Sequence, residues 1–169
     1  MKFKILTISL VSLFISACAS TTQKVSGLNC RPSLVDNKDG TITDTETNLM
    51  WAAKDHFYET LTGGTRWVGW DGAMSKAENS EVQGYTDWRV PTEKELMTIL
   101  NSNCKSQGTK IVERFSISMS PLFGHPTYPI FWTSVEKDER AIVVDFEEGT
   151  AREAPKEAGN TVRLVRDID

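Results

Sequence analysis

Residues 84–95 read GYTDWRVPTEKE, and the fold reading turns on whether Asp87-Trp88-Arg89 is a ligand site or a structural corner. Thr92-Glu93-Lys94-Glu95 has the form of a capping box, in which the Thr92 hydroxyl satisfies a free N–H and Glu95 reaches back to the Thr92 amide. Leu96, Ile99 and Leu100 then supply the apolar stripe of a short helix, predicted to end near residues 101–103. Pro91 keeps Val90 extended, so Val90-Pro91-Thr92 is a strand-to-helix corner. Next to such a corner Trp88 reads as a core plug, and Arg89, flanked by acidic residues, as an ion pair or a clamp on backbone carbonyls.

Upstream, Asp39-Gly40 marks a hairpin turn followed by the alternating strand Thr41-Ile42-Thr43. Asp44 to Asn48 is a second turn, with Asp44 placed to accept backbone N–H groups and Asn48 able to take the left-handed conformation. It leads into a core strand, Leu49-Met50-Trp51. Asp36 to Gly40 has some likeness to a calcium loop, but with Gly40 at the sixth position the first would be Val35, which is no ligand. A turn fits and a metal site does not. Residues 57–69 have no apolar period and a Gly-Gly break, so they form a long loop. Trp70, Ala73, Met74 and Ala77 fall at helical spacing, with Gly72 weakening that helix.

Downstream, residues 103–130 form a second long loop with three prolines, Pro121, Pro126 and Pro129. Strands are predicted at Phe131 to Ser134, at Ala141 to Phe146 and, by polar–apolar alternation, at Thr161 to Arg166, with Glu147-Glu148-Gly149 as a turn. Strands at both ends with two short helices and two long loops between them predict an α+β domain.

The N-terminus tells of export. Lys2 and Lys4 precede the apolar run Ile5 to Ile15, which is shorter than the roughly 20 residues of a membrane-spanning helix and suits a signal peptide. Ile15-Ser16-Ala17-Cys18 resembles a bacterial lipobox. Residues 1–17 are therefore read as a lipoprotein signal peptide and Cys18 as the lipidated residue, carrying diacylglycerol and palmitate-type chains that anchor it durably. Residues 18–29 form a polar tether with a reach of roughly 20 Å, and residues 30–169 the domain. Ala19 is not the Asp linked to inner-membrane retention, so an outer-membrane envelope location is expected where the host has two membranes.

Loss of Lys2 and Lys4 takes the net charge from −4 to −6, which argues against nucleic-acid and other polyanionic partners. With Cys18 lipidated, Cys30 and Cys104 remain as a pair, and an oxidising envelope favours a disulfide. It would contribute about 4 kcal/mol by constraining the unfolded chain.

Several stretches together resemble the Lcl C-terminal domain family of bacterial surface proteins and lipoproteins: DNKDGTITDTETNLMW, WDGAM, GYTDWRVPTEKEL, FWTS with AIVVDFEEGTA, and VRLVR. The resemblance implies a C-type-lectin-like α+β fold and marks Trp51, Trp88 and Arg89 as framework. Asn48 stands where the family usually has Gly. The Glu-Pro-Asn and Trp-Asn-Asp triplets of calcium-dependent lectins are missing, so no metal or other cofactor is expected.

Aromatic faces stack on sugars, and Arg or His can bond hydroxyls or carboxylates. Arg66, Trp67, His125 and Tyr128, in the two long loops, are thus the candidate ligand-binding residues. The expected function is a membrane-anchored, non-catalytic binding module for a glycan or an envelope protein. A structural or assembly lipoprotein without a small ligand is the alternative. An enzyme is disfavoured: the only histidines, His56 and His125, have no nucleophile motif nearby, and Asp145, Glu147 and Glu148 sit at a turn. Cys18→Ser should abolish acyl labelling and release the protein from membranes. Membrane association unchanged in that variant, measured by fractionation, is the contrary outcome.

Overall fold

The computed structural model describes residues 30–55, 68–104, 106–107, 116–124, 126 and 128–168. The N-terminal half builds a hairpin sheet from β1 (Leu34–Asp36), β2 (Thr41–Asp44) and β3 (Leu49–Ala52). Its turns follow the local chemistry. Asp39 Oδ1 accepts from the Thr41 amide at 2.9 Å and the Thr41 hydroxyl at 2.7 Å, while Asp36 accepts from Lys38. These acids hold turns, as expected. Asp44 accepts from the Glu46 amide and the Thr47 hydroxyl, and Asn48 has φ of 57°. A left-handed Asn explains how this chain tolerates its departure from glycine there.

Helix α1 (Trp70–Glu78) and helix α2 (Glu93–Ile99) follow. The capping box of α2 is complete: Thr92 Oγ1 accepts from the Glu95 amide, and Glu95 Oε2 accepts from the Thr92 amide at 2.7 Å. The helix stops at Ile99, short of the predicted end, because Leu100 is extended and bridges Met119. Gly72 in α1 has a packing reason: a Cβ there would lie 2.7 Å from Val68 Cγ1. Within the expected second loop, β4 (Ser106–Gln107) and β5 (Ser116–Ile117) form a short antiparallel ribbon.

The C-terminal half holds β6 (Ile130–Lys137), β7 (Arg140–Asp145) and β8 (Thr150–Pro155), an antiparallel sheet of order β6-β7-β8. Sequence reading made β6 too short and left β8 out, because β8 is exposed from Thr150 to Glu153 and carries little apolar pattern. Successive residues of β6 and β7 serve two cores. Phe131 and Val144 pack with Trp51, Leu96, Ile99 and Phe123, while Trp132 and Val143 pack with Trp70, Ala73, Ala77 and Trp88. Since adjacent strand residues point to opposite faces, α2 covers one face of this sheet and α1 the other. A hairpin buried on both faces has no polar stripe.

The predicted strand at residues 161–166 requires correction. Only β9 (Val165–Asp167) is a strand, pairing with β3 to complete the order β1-β2-β3-β9. Residues 160–164 run between the sheets, bonding to each in turn, and Thr161, Val162, Arg163 and Leu164 are all buried. The polar–apolar alternation there does not report a wet face.

Residues 84–95 are a framework corner. Trp88 is buried, donates Nε1 to the Val82 carbonyl at 3.0 Å and meets Tyr85 edge-on. Arg89 exchanges backbone hydrogen bonds with Val165 and forks onto Glu95 at 2.9 and 2.7 Å, with Asp167 beside it. It is an ion pair rather than a carbonyl clamp. Asp87 accepts from Arg166 Nε at 2.7 Å. The segment thus ties α2 to the C-terminal strand.

Cys30 and Cys104 are disulfide-bonded across a sequence separation of 74. Arg31 reinforces that closure, donating to the Thr98 carbonyl and pairing with Asp44 at 3.0 Å. Trp88→Ala should cost about 3–5 kcal/mol in denaturant unfolding, through the cavity it leaves. An unchanged unfolding midpoint would defeat the framework assignment.

Candidate functional site

The segment Asn160–Arg163 holds the chain on both sides of residues 56–67 and at the end of the second loop region. Asn160 and Val68 exchange backbone hydrogen bonds at 3.3 Å, holding the chain where it resumes after residues 56–67. The chain before those residues is held by Arg163, whose Nη1 donates to the Ala52 carbonyl at 2.9 Å and the Ala53 carbonyl at 2.7 Å. Thr161 bonds Ile130 and Trp132 at the end of the second loop region, and the Arg163 guanidinium lies 4.8 Å from the centroid of Phe123, just before Gly124. Both ends of the first loop and the end of the second therefore meet one short stretch of chain, with Phe123 of the second loop region beside them.

Arg163 is fully buried. Burial pulls its guanidinium down to about 10, partly offset by the charge of Asp55, so it remains charged at neutral pH. Phe131 lies on it as well, at 5.6 Å. Cation–π contact and two carbonyls replace part of the lost hydration, while Nε and Nη2 have no hydrogen-bond partner among the described residues.

Next to this junction a pocket of about 180 Å³ is lined by Asp39, Gly40, Ala52, Lys54, Asp55, Val82 and Gln83. Two turns face one another across it. One is the β1–β2 turn, where Gly40 has φ of 94° and its carbonyl accepts from the Ala53 amide at 2.9 Å. The other is the 3-10 turn Val82–Gly84, where Gln83 has φ of 55° and its amide nitrogen lies 3.7 Å from where a Gly40 Cβ would be. Trp88 Nε1, on the Val82 carbonyl, makes the framework corner a support for this wall.

Of the residues singled out by sequence, Tyr128 is half-buried against the core that contains Trp132. Arg66, Trp67, His125 and the lipidation candidate Cys18 lie outside the described residues, as does His56. Asp145 caps its own turn, accepting from the Glu147 and Glu148 amides at 2.9 and 3.2 Å. Sequence reading missed the pocket residues and Arg163. The one available signal was an arginine set between Val162 and Leu164 in an otherwise core-forming stretch.

A family model, the Lcl C-terminal domain, matches residues 40–166. The chain belongs to that family. The match spans both cores apart from Leu34 and the pocket apart from Asp39, whereas β1, Cys30 and Arg31 precede it. In this Lcl C-terminal domain the N-terminal additions are nonetheless part of the folded unit, because β1 pairs with β2 and the disulfide reaches Cys104. No curated protein matches the chain.

Arg163→Ala should lower stability by about 3–5 kcal/mol, since it strips two buried carbonyls of their donor and leaves a cavity. Arg163→Lys should be milder but still destabilising, because a point charge cannot reproduce the planar fork and ring stacking. Denaturant unfolding of both variants checks this order.

Proposed function

We propose that the protein is a lipid-anchored envelope lipoprotein whose Lcl C-terminal domain is a non-catalytic binding module of C-type-lectin-like architecture, recognising a glycan or an envelope protein. The observation that carries the reading is the gathering of both ends of the first loop and the end of the second on Asn160–Arg163, beside a pocket whose walls are held by hydrogen bonds. Binding residues tend to sit on loops held by a rigid scaffold, and here the scaffold is a hairpin buried on both faces. The lectin-like architecture is supported by the two helices on opposite faces of that hairpin and by the terminal strand β9 in one sheet with β1, β2 and β3.

Anchoring is proposed through Cys18, with the polar tether joining the domain at the disulfide. Cys30 and Arg31 both hold to the region around the end of α2, so the tether enters at a fixed point of the fold. The outer membrane is the proposed location in a host with two membranes. Neither a cofactor nor a metal enters this reading.

Glycan-array binding of the full chain, run beside a crosslinked pull-down from the envelope, tests the function. Signal confined to a structural class of glycans, or one specific protein complex that loop or pocket variants abolish, is expected. A single co-purifying protein whose capture is indifferent to both loops and the pocket would instead identify an assembly lipoprotein.

A further inference from the structure

The pocket between the β1–β2 turn and the Val82–Gly84 turn has a charge balance that selects among ligands. Its lining carries two carboxylates, Asp39 and Asp55, and one ammonium, Lys54. Arg163 lies behind the wall, bonded to the Ala52 carbonyl and coupled to the charge of Asp55. Two negative and two positive charges thus surround the space. A net anion would meet the carboxylates and a net cation would meet Lys54 with the buried charge of Arg163 behind it, each at a desolvation cost without a matched partner.

The hydrogen-bonding groups point the same way. Asp39 uses Oδ1 for both bonds to Thr41, and those bonds, side chain first, hold its carboxyl below the ordinary value of 3.8. It is therefore an acceptor at neutral pH, with a second oxygen to offer. Lys54 is exposed and forms no ion pair among the described residues, so its ammonium is a donor. The Gln83 amide supplies both a donor and an acceptor. Ala52 and Val82 add a small apolar surface.

Acceptors for hydroxyl protons, donors for hydroxyl oxygens and a patch of methyl groups make a complement to a ring that carries hydroxyls on its edge and C–H bonds on its face. The volume of about 180 Å³ is below the range of drug-sized sites and suits one ring.

We propose that this pocket binds one uncharged, polyhydroxylated ring, a single neutral sugar unit of a glycan. The proposal rests on the binding-module reading and narrows it. Its walls are preorganised by separate anchors: Thr41 on Asp39, Ala53 on Gly40, Arg163 on Ala52 and Trp88 on Val82. Little ordering entropy is then lost on binding. Because the ligand carries no net charge, its affinity is insensitive to salt, unlike that of an anionic polysaccharide held by counter-charges.

The test is an amide NMR titration of the full chain in detergent micelles with methyl glucoside, methyl galactoside, methyl mannoside, glucosamine and glucuronate, at low and high salt. At least one neutral glycoside should shift Gly40, Lys54 and Gln83 saturably and equally at both salt levels. Asp39→Asn and Gln83→Asn should each weaken that binding by about tenfold or more. Asn retains a carbonyl for Thr41 in the first case and tolerates the left-handed backbone in the second, and an unchanged melting temperature confirms that each variant folds. Salt-sensitive binding of glucuronate or glucosamine in preference to the neutral glycosides overturns the proposal. So does the failure of every monosaccharide to move these signals. If the glycan array is positive while the pocket stays silent, the pocket assignment falls and the binding module stands. If the array is also negative, the glycan reading falls with it.

Discussion

A guanidinium removed from water costs several kcal/mol unless its protons and its charge find partners, and Arg163 is removed completely. Two carbonyls at the end of β3, two phenyl rings and the charge of Asp55 compensate it. Those partners come from the N-terminal sheet, the Pro121–Phe123 turn and β6. Keeping the cation solvated by protein therefore requires three parts of the chain to meet at one place. That requirement sets the position of residues 160–163, and through them the chain on both sides of residues 56–67 and the end of the second loop region.

Around this junction the fold is a hairpin, β6–β7, with a core on each face. Residues alternate between the cores, so Phe131 and Trp132 are neighbours in sequence but belong to different interiors. The indole donors link the layers: Trp70 bonds the Thr133 carbonyl at 2.8 Å and Trp132 the Val68 carbonyl at 2.7 Å. Large rings thus fill volume and satisfy buried backbone groups together. The same economy appears at residues 84–95, where Trp88 fills the core while its N–H holds the Val82 wall of the pocket. Framework and candidate site are joined there, and a change at Trp88 acts on the pocket only through that wall.

The electrostatics of the surface follow from the same corner. Burial alone would push the Glu95 carboxyl up, but Arg89 and the Thr92 donors outweigh it and leave it below the ordinary value of 4.5. Arg166 likewise holds Asp87 below 3.8. Folded values that are depressed stabilise the fold above the ordinary carboxylate range, and the contribution is lost as pH falls through the folded values. The ties between α2, β9 and the Asp87 segment are accordingly among the parts of the structure that acid loosens, with the β1–β2 turn held by Asp36 and Asp39.

Much of the local structure was legible in the sequence because its causes are local. A Thr-x-x-Glu box needs only four residues to cap α2, Asp39 and Asp44 organise turns with amides two or three residues away, and Asn48 adopts its left-handed backbone within one turn. Both helices, the hairpin of β2 and β3 and the framework role of Trp88 were read from such signals, and the disulfide from the two cysteines left once Cys18 is set aside. Strand β8 escaped because an exposed outer strand has no apolar pattern to betray it. Residues 161–164 were misread because alternation normally reports one wet face, and here an arginine occupies the dry one. Only the tertiary structure decided the candidate site. Residues 39–40, 52–55 and 82–83 share no local signal, and none of them has a special role until the sheets, the corner at Trp88 and the buried charge of Arg163 hold them together.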